Sequence, residues 1–371
     1  MRILTAMRTV RTGKSTRRFL GCRAAALLLA VGTATGLAEA GPEVRVENVR
    51  RAYHNGEHNA FTDLVRWQDR LWLTFRSCPG GHMVFSSASV RVLSSADGRE
   101  WREEHRFSVP KRDTRDPHFL VFRDRLFIFT GTWYSGEGEL PRDQYDLNKH
   151  LGYAVSTADG KNWEEPRPME GTYGHYIWRT AARGDTAYLC GRRKPGYAEA
   201  QDGGAGDGTE GVESVLLESE DGLNWRFRSM IQETMGNETA FLFEEDGTLL
   251  ALSRESREGA RLSRSSPPYV EWKAQEMDRF IGGPLLARWG DRILAGGRRH
   301  SEQGPKTTLY WLEEGGLQPF AELLSGGDAS YPGFVELGGG DGLVSWYSSH
   351  EKDEAGQPIT AIYVADLVLV D

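Results

Sequence analysis

The sequence predicts an all-β fold, a six-bladed β-propeller of four-stranded antiparallel blades. Three observations predict it. A Ser/Thr-x-Asp-Gly-x-x-Trp motif recurs at fixed spacing, an apolar–turn–apolar hairpin pattern occurs six times, and a third apolar run follows each hairpin. Self-similarity at a period of this size signals a repeat architecture.

The first observation is "SSADGREW" from Ser94, "STADGKNW" from Ser156 and "ESEDGLNW" from Glu218, whose Trp101, Trp163 and Trp225 stand 62 residues apart. Asp after a strand bonds backbone amides two residues on, and Gly supplies the positive φ of a tight turn. The motif therefore reads as a turn and an aromatic staple on each blade's outer edge.

The hairpins are "LVRWQDRLWLTFRS" (64–77), "LVFRDRLFIFTGT" (120–132), "TAARGDTAYLCGRR" (180–193), "FLFEEDGTLLALSRES" (241–256), "LLARWGDRILAGGRR" (285–299) and "FVELGGGDGLVSWYSS" (334–349). Each sets two apolar runs around Asp-Arg, Gly-Asp or Asp-Gly. The third strands are "SVRVLSS", "LGYAVST", "ESVLLES", "ARLSRSS", "TTLYWLE" and "ITAIYVAD", and "EVRVENV" near residue 43 is expected to close the ring against the last blade. Closure leaves no long exposed edge.

Residues 41–371 are thus expected to form one propeller domain. Residues 1–40 differ: basic residues from Arg8 to Arg23 precede a short apolar run ending in Ala38-Glu39-Ala40. That is a signal-peptide pattern, and "TRRFLG" resembles a twin-arginine export signal. Export to the periplasm or the extracellular space, without a transmembrane span in the mature chain, is expected.

Residues 1–40 hold seven of the 45 basic and one of the 53 acidic residues, so the remainder carries 38 against 52, net −14. Such a chain is a poor nucleic-acid or anionic-membrane binder. Beyond residue 40 only Cys78 and Cys190 remain, enough for one disulfide but no framework. No CxxC or HExxH spacing occurs, and "HNGEHN" (54–59) fits no common zinc pattern. No metal or cofactor is expected, and the chain is expected to be a monomer. The Gly-rich, acidic stretch 197–211 lacks the Lys of a phosphate loop and reads as an insertion between strands.

Residues just ahead of each hairpin should rim one mouth of the central channel. They are Asn59 and Asp63; Arg115, Asp116 and His118; Trp178 and Arg179; Asn237 and Glu238; Gly283 and Pro284; and Tyr331. Hairpin ends add Arg76, Arg192, Arg254, Arg298 and Arg299. So many basic groups in an acidic chain suit an anionic sugar.

The three turn motifs resemble the Asp-boxes of the sialidase superfamily, whose fold is a six-bladed propeller. "GNETAFLFEEDGTLLALSRES" (236–256) resembles the sialidase blade that carries a Glu and an Arg, and "SYPGFVELGGGDGLVSWYSS" (330–349) the segment that carries the nucleophilic Tyr. The resemblance implies Tyr331 as nucleophile, Glu238 as the group that raises its basicity, and Arg254 as a grip on a substrate carboxylate. The chemistry is coherent, because a Tyr near pKa ~10 needs a carboxylate to take its proton, and an Arg fork suits a carboxylate.

The chain also departs from that pattern. Ala60 in "NAFTDL" stands near the family's first-blade Arg, and Lys306 near its third. The loop "SCPGGHMVFSSAS" has no carboxylate where the family keeps its acid, and His82 is its strong titratable group. Asp63, Asp116 and His82 are the candidates for the missing acid. The reading is an exported glycan-active hydrolase that cleaves a terminal, acidic sugar. The alternatives are a lyase on uronic acids and a non-catalytic glycan-binding propeller.

Overall fold

A computed structural model describes residues 41–197, 211–255 and 259–370. Residues 1–40, expected to be a signal peptide, and most of the Gly-rich insertion lie outside the described residues. Six four-stranded antiparallel sheets follow one another along the chain. Their innermost strands are His58–Trp67, Arg112–Phe122, Tyr176–Arg183, Thr239–Phe243, Gly282–Trp289 and Ala329–Gly338, one for each of blades 1 to 6. Each inner strand adjoins that of the next blade, and the last adjoins the first, so the ring is closed.

Closure is made as the sequence predicts. Glu43–Tyr53 pairs antiparallel with Pro358–Val370 and becomes the outer strand of blade 6. The strand from the start of the domain thus locks the blade at its end. No helix among the described residues is long and apolar enough to cross a membrane.

The hairpins form by local turn chemistry. In blades 1 and 2 the central pairs are Gln68-Asp69 (φ 49° and 58°) and Arg123-Asp124 (φ 50° and 59°). Positive φ at both positions matches the twist of the flanking strands. Apolar side chains between blades then supply the packing. Trp289, Trp311, Phe334 and Trp346 fill the space between blades 5 and 6, and Trp67, Trp72, Phe119 and Ile128 that between blades 1 and 2. Fully buried members such as Phe75 and Phe129 each contribute about 1.5–3 kcal/mol by burial.

The three Asp-Gly turns fold alike. Ser95, Thr157 and Ser219 accept from the amides of Gly98, Gly160 and Gly222, at 2.9, 3.0 and 2.9 Å. Asp97, Asp159 and Asp221 accept from the amides two and three residues on. Each glycine has positive φ and presses on the preceding blade: Gly98 on Leu343, Gly160 on Trp72, Gly222 on Phe127. Trp163 and Trp225 pack the same way, on Trp72 and Phe129. The turns are staples between blades, far from the channel.

Cys78 and Cys190 are buried and unpaired, so no disulfide joins blades 1 and 3. Burial pushes the Cys190 thiol up to about 12, which keeps it an inert apolar group.

Candidate active site

Five of the six inner strands break register at the same depth. The breaks lie at Ala60/Asp63, Arg115/His118, Ile177/Thr180, Gly282/Leu285 and Ser330/Gly333. At each, two inner-strand residues face one on the neighbouring strand, which is a β-bulge. The bulged pairs are Phe61-Thr62, Asp116-Pro117, Trp178-Arg179, Gly283-Pro284 and Tyr331-Pro332. Phe61, Asp116, Gly283 and Tyr331 have φ of 64°, 51°, 60° and 55°. For a side-chain-bearing residue this backbone costs on the order of 1–3 kcal/mol and is kept where geometry matters. In three blades the second residue is Pro, which has no N–H for the bulge to orphan. Blade 4 has no bulge, and Glu238 stands just before its inner strand.

The bulges converge on Tyr331. Phe61 and Trp178 meet its ring edge-on, at centroid distances of 5.0 and 5.5 Å. Gly283 lies against the ring, where a Cβ would come within 2.6 Å of it. Tyr331 Oη donates to Glu238 Oε1 at 2.6 Å. Glu238 Oε2 accepts from the Gly283 amide at 2.8 Å and lies 3.5 Å from Arg254 Nη1. The Arg298 guanidinium sits over the Tyr331 ring, 5.4 Å from its centroid.

The electrostatics hold this pair as phenol and carboxylate. Burial opposes the charge on Glu238, but Arg254, the Tyr331 hydroxyl and the Gly283 amide together keep it below the usual carboxylate range. Burial and the Glu238 charge raise Tyr331 well above an ordinary phenol. The proton therefore rests on Tyr331 and has one short path, to Glu238.

Asp116 is the opposite case. It is buried, and its Oδ1 has no hydrogen-bond partner among the described residues. Burial pushes it up to about 8, with Arg115 opposing and the Glu238 charge adding. Two carboxyl groups of one mouth are thus driven apart, one ionised and one protonated near neutral pH, a pattern of acid/base assignment.

Other predicted residues face inward as framework. Arg179 binds Asp63 Oδ1 at 2.8 Å and the carbonyls of Pro284 and Pro332 at 2.8 and 2.6 Å, tying blades 1, 3, 5 and 6 across the channel. Burial alone would raise Asp63, but Arg179 and His118 hold it at about 2. His118 sits 3.5 Å from Asp63 and edge-on to Trp178, and burial and Arg179 push it down to about 4. Arg76 and Arg115 share the buried Asp113 carboxylate and also bind loop carbonyls, Gly81 and Met83 from Arg76, His82 and Met83 from Arg115. Asn59 ties Asn55, Glu57 and Thr360 together. Arg192 lies opposite Tyr176 and works against protonation of the buried His150. Lys306 faces Glu322 at 3.9 Å, so the blade 5 cation that reaches Tyr331 is Arg298.

A second cluster beside Tyr331 centres on Asp328, which sequence reasoning missed. Its Oδ2 meets His58 Nε2 at 3.0 Å and His82 Nδ1 at 2.7 Å. Its Oδ1 accepts from Tyr347 Oη at 2.9 Å and Arg298 Nη2 at 3.1 Å. Burial works against its ionisation, but His58, His82 and Arg298 outweigh it and hold the carboxyl well below its usual range. His58, His82 and Asp328 are also the one group among the described residues with donor atoms close enough to hold a metal, all within 4.8 Å. His58 Nδ1 is buried without a partner. A proton on Nε2, aimed at Asp328, is the tautomer that strands no buried N–H, and it suits a hydrogen bond better than a metal. The available signal for this cluster was His58 in "HNGEHN" and an acid three residues before Tyr331.

No family model and no curated protein sequence matches the chain. Solved structures do. A protein of unknown function from Dyadobacter fermentans superposes with a TM-score of 0.70 at 19% identity, covering 89% of this chain and all of that one. Trypanosoma rangeli sialidase in complex with the inhibitor DANA gives 0.62 at 12% identity over 87% of this chain, which spans 59% of it. Penicillium chrysogenum α-L-arabinanase with arabinobiose gives 0.54 at 12% identity, covering 87% of this chain and 98% of that one. These similarities establish the six-bladed propeller fold.

Proposed function

We propose that the chain is a glycoside hydrolase that works through a tyrosine nucleophile on a terminal sugar of a glycan. The observation that carries this reading is the 2.6 Å bond from Tyr331 to Glu238 at the mouth that the neutral Asp116 also lines. The resemblance of residues 236–256 and 330–349 to sialidase blades supports it. So do propeller neighbours that are a sialidase and an arabinanase by name.

In the first step Tyr331 Oη attacks the anomeric carbon as its proton passes to Glu238. The glycosidic C–O bond breaks, and Asp116 gives its proton to the leaving oxygen. In the second step water attacks the same carbon, Asp116 takes the water proton, and the Tyr331–sugar bond breaks as Glu238 returns its proton. Tyrosine in this role is a known exception to the two-carboxylate scheme. The ground state keeps Tyr331 neutral, so the nucleophile gains charge only as the anomeric carbon becomes electron-poor. Asp63 and Arg179 set the spacing of the inner strands, and His82 belongs to the Asp328 cluster, which leaves Asp116 as the acid.

The test is release of product from a panel of aryl glycosides, with the wild type and Tyr331→Phe. Loss of turnover in the variant, with no absorbance from an unsaturated sugar, is expected. Undiminished turnover would remove the mechanism, and an unsaturated product would replace it with elimination.

A further inference from the structure

We infer that the substrate is uncharged where it meets the Asp328 cluster, a neutral sugar whose hydroxyls are read by His82. The inference rests on the hydrolase reading and names its substrate class. It departs from the acidic sugar that the basic residues of the rim suggest in the sequence.

A site for a sugar carboxylate needs cations with donors to spare. Beside Tyr331 those donors already serve an internal carboxylate. Arg298 spends Nη2 on Asp328 and Tyr347 and Nε on the Ala329 carbonyl. His58 and His82 both address Asp328 Oδ2. Asp328 is kept ionised, and Glu238, bonded to Tyr331, is kept ionised as well. A substrate carboxylate here would meet two like charges. Like-charge juxtaposition costs enough to exclude partners.

The same cluster suits hydroxyls. The Asp328 oxygens are filled by His58, His82, Tyr347 and Arg298, and the other imidazole nitrogen of His82 is the group that donates to or accepts from a sugar hydroxyl. His82 is the open side of the cluster, with its side chain 47% exposed against 11% for His58. Phe61 meets both the His82 ring and the Tyr331 ring edge-on, at 5.7 and 5.0 Å. A sugar held at His82 therefore lies within one aromatic residue of the nucleophile.

The test compares aryl arabinofuranoside, galactoside and fucoside with aryl glucuronide and sialoside on the wild-type protein. Asp328→Asn, which keeps the shape and removes the charge, is run alongside. The best neutral glycoside is expected to exceed both acidic ones in kcat/KM by about 100-fold or more, and Asp328→Asn to narrow that ratio. A glucuronide or sialoside as the better wild-type substrate overturns this inference and leaves the hydrolase reading standing. If no glycoside is turned over, the hydrolase reading fails. Saturation-transfer NMR with free arabinose, galactose, glucuronate and N-acetylneuraminate then decides the charge question: a neutral sugar bound supports the inference, and an acidic sugar or none overturns it.

Discussion

Tyr331 and Glu238, 93 residues apart in sequence, share a 2.6 Å hydrogen bond across the channel between blades 6 and 4. The bond depends on two backbone features. The bulge at Tyr331 aims the phenol inward, and Gly283 leaves room for its ring while its amide holds Glu238 Oε2.

Glu238→Gln should lower kcat about 10²–10⁴-fold, since it removes the acceptor of the Tyr331 proton. The fold should survive, because a glutamine oxygen still accepts from the Gly283 amide. Steady-state kinetics with a matched thermal melt measure both.

Asp116→Asn should act through leaving-group chemistry. Loss of kcat/KM, which reports the first step, should be severe with a poor leaving group and slight with a nitrophenyl one, which needs no proton. The wild type should lose activity as pH rises through about 8, and the variant should lack that limb. Stability carries the same sign. The folded pKa is raised above the unfolded value of about 3.9. The contribution is therefore full below that value and disappears as pH rises through the folded pKa. The fall in Tm between mildly acidic and alkaline pH should be shallower in the variant.

Asp63→Asn should be a stability variant. It strands Arg179 among blades 1, 3, 5 and 6 and should cost about 3–5 kcal/mol in chemical denaturation. Asp63 is depressed to about 2 in the fold. Its stabilisation is present above the unfolded pKa and is lost as pH falls through about 2. Acid unfolding below pH ~4 should therefore be less steep in the variant.

Gly283→Ala should damage activity more than stability. The added Cβ meets the Tyr331 ring at 2.6 Å, and φ is +60°. Displacing the ring breaks the bond to Glu238. A fall in kcat with a modest shift in Tm is expected. By contrast, Asp221→Ala in an outer turn loses the bonds to the Leu223 and Asn224 amides. It should lower Tm while leaving kcat unchanged.

Most of the fold is legible in the sequence because its determinants are local. Hairpin turns, third strands and the spacing of Trp101, Trp163 and Trp225 each sit within one blade, and the closing strand reads as an apolar run. Tyr331, Glu238 and Asp116 are legible through their place ahead of a hairpin. What the sequence hides are partners from distant blades. Asp63 meets Arg179 across 116 positions and Asp328 meets His58 across 270. No short-range pattern reports such pairs. The basic rim residues therefore read as a cationic pocket, although Arg76 and Arg115 turn onto Asp113 and Arg298 onto Asp328. The bulges are partly visible as Asp-Pro, Gly-Pro and Tyr-Pro ahead of apolar runs, but blades 1 and 3 carry the same bulge without proline.

The central claim is that Tyr331 forms a covalent bond to the sugar. The most direct measurement is the configuration of the first sugar released, followed by proton NMR before mutarotation. Two displacements at one carbon predict a first product with the anomeric configuration of the substrate. A first product of inverted configuration would mean that water attacks directly, and would contradict the account.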